Sequence, residues 1–200
     1  MANKAPEPVT MQDDQSIYRL KITLEDLFPE VWRRVEVPAD LTLGRLHRVI
    51  QIALGWSNSH LHQFEGAPGG RRRRGPSTPR PRLKDTWLLC EVAPRDRSAF
   101  WYVYDFGDGW EHRVLVEAVL PPELGVVYPR CLAGERACPP EDCGGIPGYA
   151  DILDAIRHPD RPDAAELFEW VGEDFDPEAF DLDATNLALT RTVRRPARPH

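Results

Sequence analysis

The chain has little cysteine, little methionine and no long apolar run. Four cysteines and two methionines in 200 residues are too few for a disulfide-built scaffold. No stretch reaches the roughly 20 apolar residues of a membrane helix, so a membrane partner is not expected. The first fifteen residues carry Lys4, Glu7, Asp13 and Asp14 without an apolar core, which argues against a secretory signal and for a cytoplasmic protein. Base is outweighed by acid, 25 Lys and Arg against 32 Asp and Glu for a net charge of −7; this argues against a dedicated nucleic-acid coat. Also missing are a Walker loop, a dinucleotide fingerprint and a Ser-His-Asp order. Asp105-Phe106-Gly107 is a triplet shared with kinases, but the glycine-rich loop, strand lysine and catalytic-loop aspartate that a kinase needs are not there.

What is there suits one domain. A hydrophobic content of 42% is enough for a self-sufficient core. The segments 18–24 and 31–37 alternate with period two and predict an antiparallel strand pair. Thr42 caps a predicted helix carrying Leu43, Leu46, Ile50 and Leu54 at helical spacing, and Gly55 ends it. A short strand is predicted at 60–65, and a hairpin from 101–106 and 112–120 around Gly107-Asp108-Gly109. Tyr149, Ile152, Leu153 and Ile156 mark one later helix, Ala164, Leu167, Phe168 and Val171 a second, and 183–190 a short third. The expected fold is α+β, a mostly antiparallel sheet with a β-β-α-β-β start reminiscent of a β-grasp core, then C-terminal helices. The expected domain is 16–190, with disordered tails at 1–15 and 191–200.

Charge is uneven along this domain. Seven basic residues and no acid lie between Gly66 and Lys84, and nine acids and no base between Asp163 and Asp183. The basic stretch 66–84 is rich in Gly and Pro, which oppose a strand interior, and is read as a loop, with 66–82 expected to be mobile and dispensable for folding. Its Arg71, Arg72, Arg73 and Arg74 are candidate phosphate contacts, although an arginine run in such a loop is more often only solvated.

Two dense segments carry the candidate chemistry: Tyr102 to His112, and Cys131 to Gly145. Cys131, Cys138 and Cys143 are candidate metal ligands with His60 or His62 completing the set. Their gaps of six and four residues are not the two-residue gap of a zinc knuckle, so a tight loop with cysteines filling small buried spaces competes with this reading. Zinc is the metal expected if one is bound; no other cofactor is indicated. The candidate functional surface is Asp105, Asp108, Trp110, Glu111, His112, Glu141 and Asp142, with Trp110 as a lid and the cysteine loop docked on the hairpin. A hairpin loop of 107–109 would pair Tyr104 with His112, leaving His112 on the aromatic face. A loop of 107–110 would instead pair Asp105 with His112 as an acid/base or metal couple. The first register is the expectation. His47 and His158 receive no role.

Taken in order, Trp32-Arg33-Arg34, His60-Leu61-His62, the Tyr102–His112 block and Cys131–Gly145 make the chain resemble the plasmid pRiA4b ORF-3-like family over about residues 17 to 190. The resemblance implies an α+β domain, sometimes a passenger of insertion elements, and carries over no catalytic residues. The basic segment departs from the pattern, as a lineage-specific loop or a stretch read out of frame before Phe100. Two functional readings stand: a non-catalytic binding or accessory module, with a protein partner expected, and a metal-dependent hydrolase using a His/Asp/Cys site.

Overall fold

The computed structural model describes residues 16–66, 80–172 and 174–193. Its first strands, β1 (Ile17–Leu24) and β2 (Trp32–Pro38), pair antiparallel, Leu20 opposite Val35. Helix α1 (Leu43–Leu54) follows, opened by Thr42, whose hydroxyl accepts from the Arg45 N–H. Gly55 closes it at φ 88°, a left-handed conformation that costs glycine nothing. Next come β3 (His62–Glu65), β4 (Arg82–Leu83), α2 (Leu89–Val92), β5 (Ala99–Tyr104), β6 (Trp110–Leu120) and β7 (Arg130–Glu135). The chain finishes with α3 (Gly145–Arg157), α4 (Ala164–Val171) and α5 (Leu182–Val193).

The strands form one sheet in the order β4-β3-β5-β6-β1-β2-β7, with every pairing antiparallel. Alternation sets its two faces. Leu20, Ile22, Val35, Phe64, Phe100, Tyr102, Tyr104, His112, Val114 and Val116 point inward and are buried; Arg19, Lys21, Arg34, Trp101 and Glu117 line the outer face. α1 contributes Leu43, Leu46, Val49 and Ile50 to the same core, and α5 contributes Leu189. α5 also protects the edge at β7: the Asn186 side chain accepts from the Cys131 N–H at 2.7 Å and donates to the Cys131 carbonyl at 2.9 Å. A side-chain amide thus replaces a neighbouring strand where an exposed edge would invite one.

Two expectations need correction. Within the stretch read as a loop, Arg82–Leu83 is a strand paired with β3, and Leu83 is buried. Arg80 stacks on Trp101 and pairs with Glu111. The apolar Leu83 and the aliphatic stem of arginine supply packing that a count of Gly and Pro misses. Arg71, Arg72, Arg73 and Arg74 lie outside the described residues. The hairpin adopts neither considered register: Tyr104 pairs with Trp110 and Tyr102 with His112, leaving 105–109 as the loop. Asp105 leaves the strand at φ 54°. Its Oδ1 accepts from the Gly107 N–H at 2.9 Å and the Asp108 N–H at 3.4 Å, so a side chain does the work of a turn. The shift of two residues from the expected pairing keeps parity, and His112 stays on the aromatic face.

Candidate functional site at the hairpin end of the sheet

Three loops meet beyond the ends of β5 and β6: residues 56–61, 105–109 and 138–145. The first begins where Gly55 ends α1, so Trp56 falls back on the sheet, stacked on Tyr104 at 4.9 Å and donating from Nε1 to the Pro139 carbonyl at 2.9 Å. Glu141 joins the loops. Its carboxylate accepts from the Ser57 N–H at 3.0 Å and from the hydroxyls of Ser57, Ser59 and Tyr104. Those donors outweigh the opposing effect of partial burial and hold its pKa down at about 2. The cysteine loop reaches the hairpin through the Gly144 N–H, which donates to Asp108 Oδ2 at 3.3 Å. Gly145 makes the approach sterically feasible: a Cβ there would stand 2.6 Å from the Asp108 carbonyl oxygen.

At the centre of this junction lie His60, Asp105 and Asp142. His60 Nε2 is 3.2 Å from Asp142 Oδ1 and 3.7 Å from Asp105 Oδ2. The ligand-capable atoms of the trio all fall within 4.8 Å of one another, and no other such group of three or more exists among the described residues. Asp105 is nearly buried, whereas Asp142 is open to solvent. Both aspartates have positive φ, 54° and 61°, a conformation that Asp reaches more readily than most residues.

Of the candidate surface residues, Asp105, Asp108, Glu141 and Asp142 converge here, and the other three do not. Trp110, 1% exposed, lies in the core near Trp56 and is no lid. His112 is fully buried, Nδ1 3.2 Å from the Tyr102 carbonyl, and desolvation lowers its pKa to about 4. Glu111 faces the opposite side of the sheet, beside Arg80. Strand alternation sends residues 110 and 112 inward and 111 outward.

Nor do the cysteines assemble as a ligand set. Cys131 belongs to β7, its thiol 3.5 Å from the Arg34 and Ala133 carbonyls. Cys138 is buried beside Arg33, and Cys143 donates to the Gly145 carbonyl. Burial raises the pKa of Cys131 and lifts those of Cys138 and Cys143 to about 12, so all three are packed thiols. A strand, its exit and a turn separate them in space. His60 and His62 also part company. His62 lies 3.3 Å from Asp85 and stacks face to face on His47 at 3.6 Å.

Sequence reasoning missed His47, Trp56, Ser57, Ser59 and Asp85. His47 bonds the Tyr102 hydroxyl at 2.7 Å and Asn58 Oδ1 at 2.6 Å. A polar loop directly after a glycine helix cap was the available signal for Trp56 to Ser59. Asp85 had none, because its place depends on long-range backbone bonds such as Gly44 N–H to the Asp85 carbonyl at 2.9 Å.

Residues 16–184 match the family of the plasmid pRiA4b ORF-3-like protein. The chain is 40% identical over 190 residues to "Uncharacterized protein y4hQ" of Sinorhizobium fredii (strain NBRC 101917 / NGR234), covering 92% of this chain and 95% of that one. It is also similar to the crystal structure of a protein of unknown function, MM3350 from Methanosarcina mazei Go1, with a TM-score of 0.74 and 33% identity, over 84% of this chain and 96% of that chain.

Proposed function

The chain belongs to the plasmid pRiA4b ORF-3-like family, and from that premise we propose a non-catalytic binding or accessory module, associated with mobile elements, that engages a protein partner through the three-loop platform. One observation carries the reading: apolar side chains are left exposed around a platform that is otherwise tied down. Leu61 is 73% exposed, Phe106 49% and Ile146 36%. Each is a near neighbour of the central residues. The Leu61 carbonyl accepts from the Asp105 N–H, Phe106 follows Asp105, and Ile146 follows the Gly145 that abuts Asp108. Exposed apolar residues on a preorganised frame with polar groups between them make an economical protein interface, since little ordering entropy remains to be lost on binding.

A photo-cross-linking residue placed at position 106, with position 187 on α5 as an exposed control, tests the reading in cells. A defined protein adduct is expected at 106 alone, competed by unlabelled wild type and not by Phe106→Asp. Equal labelling at both positions, or none at 106, overturns it. The His60, Asp105 and Asp142 trio favours a second reading, a metal-dependent hydrolase; that reading requires metal-stimulated turnover of an ester or amide substrate that His60→Gln abolishes.

A further inference from the structure

We propose that His60, Asp105 and Asp142 bind one first-row divalent transition-metal cation, Zn2+ or Mn2+, at the centre of the platform. The proposal shares its surface with the proposed function but does not depend on the partner's identity. One imidazole nitrogen and two carboxylate oxygens suit such ions, whereas Cu(I) prefers sulfur and Ca2+ an all-oxygen cage.

About the imidazole the spacing is close to that of a bound set; the two carboxylate oxygens, within 4.8 Å of each other, would have to close on the ion. Donors held roughly 2.0–2.2 Å from a cation stand roughly 3.0–3.5 Å from one another. The two separations from His60 Nε2, 3.2 and 3.7 Å, therefore need little contraction. His60 Nε2 is buried and makes no hydrogen bond of acceptable geometry among the described residues, although two carboxylates face it. A buried polar atom at ion-pair distance but without a well-directed hydrogen bond is poorly satisfied, and a cation between it and the carboxylates would satisfy it. Among the described residues, no Lys or Arg pairs with Asp105 or Asp142; their only ionic contact is His60.

The supporting residues orient the set. The turn amides of Gly107 and Asp108 hold Asp105 Oδ1, leaving Oδ2 toward His60. Asp142 follows Glu141, which is anchored by Ser57, Ser59 and Tyr104. The His60 N–H donates to the Tyr104 hydroxyl at 3.3 Å, and its ring meets Tyr104 edge-on. Such outer partners fix the direction of metal ligands. The Asp142 side chain is 71% exposed, so the solvent side of the ion is open to water or to a donor group from a partner.

Untagged protein stripped with a chelator is titrated calorimetrically with Zn2+, Mn2+, Mg2+ and Ca2+, and separately with Co2+ as a spectroscopic probe. Saturable binding of a single Zn2+ or Mn2+ ion is expected, with Mg2+ and Ca2+ weaker. Asp142→Asn keeps a residue tolerant of positive φ, so the stripped variant should melt where wild type does. Its affinity should fall about a hundredfold or more, given that loss of even an outer-shell partner costs roughly 10–100-fold. His60→Gln should act likewise. Absence of saturable binding, affinity unchanged in both variants, or a Co2+ spectrum with thiolate charge-transfer bands would each overturn the proposal. If titration fails while the position-106 adduct persists, only the cation is lost; if the adduct fails while titration succeeds, only the partner reading is lost.

Discussion

The guanidinium of Arg33, 3% exposed, donates to the Ala53 carbonyl at 2.8 Å, to Trp32 and Glu135 at 2.8 and 2.9 Å, and to Arg136 at 2.8 Å. Phe180 covers its plane at 4.1 Å. One side chain therefore ties the last turn of α1 to the exit of β7. It passes so close over Gly134 that a Cβ there would lie 2.7 Å from its Cδ. Arg33→Met fills similar volume but leaves four carbonyls without their donor, and bonds from a charged group contribute roughly 1.5–3 kcal/mol each before relaxation. A loss of at least about 3 kcal/mol in urea denaturation is expected; a loss below about 1 kcal/mol would show the carbonyls resolvated at little cost. The motif Trp32-Arg33-Arg34 was visible in the sequence. Its purpose was not, because alternation turns Arg33 inward but nothing local says which carbonyls meet it there.

At the scale of elements, helix α1 and the strand pair β1-β2 follow from periodicity and capping alone, since each signal is local: Thr42 at one end, Gly55 at the other, apolar residues on one face between. The basic segment is different, because its ends are built into the fold and its middle is compositionally inert. Gly66 donates to the Pro81 carbonyl at 2.9 Å, and Leu83 packs against the core. Replacing 67–79 with a short Gly/Ser linker should shift the melting temperature by no more than a few degrees, since loop-closure cost changes only slowly with length. Extending the deletion through Leu83 removes a buried leucine and the Arg80–Trp101 stack, and should cost on the order of 2 kcal/mol or more. Equal melting of the two deletions would show that β4 contributes nothing.

For the whole molecule, the interior under α1 holds imidazoles in neutral form. Burial first, then the facing His62 ring, lowers His47 to about 4, and burial does the same for His112; His62 is also lowered by burial, with Asp85 opposing. The unfolded chain takes up these protons near the ordinary histidine value of about 6.5. Between about 6.5 and 4 the unfolded state therefore binds more protons, and stability falls as pH falls through that window. Stability from these groups is complete above it and no longer changes below it. His47 and His112 each contribute up to on the order of 3 kcal/mol across the full window. Urea midpoints at pH 7.5 and pH 5 should differ clearly in wild type. The difference should shrink in His47→Gln; an unchanged pH dependence would mean that His47 is already protonated in the folded state.

The sequence by itself determined the family, the α+β class, the inward face of each long strand and the two motif-dense segments. These rest on periodicity, caps and dense motifs, which neighbours in the chain fully specify. Only the tertiary structure decided which of the singled-out side chains share a space. It separated the cysteines, buried Trp110 and His112, and brought His60, Asp105 and Asp142 together. The reason is parity and reach. A turn held by the Asp105 carboxylate sets the hairpin register, strand alternation then sends adjacent residues to opposite faces, and proximity between residues 60, 105 and 142 depends on three loops that no local pattern relates.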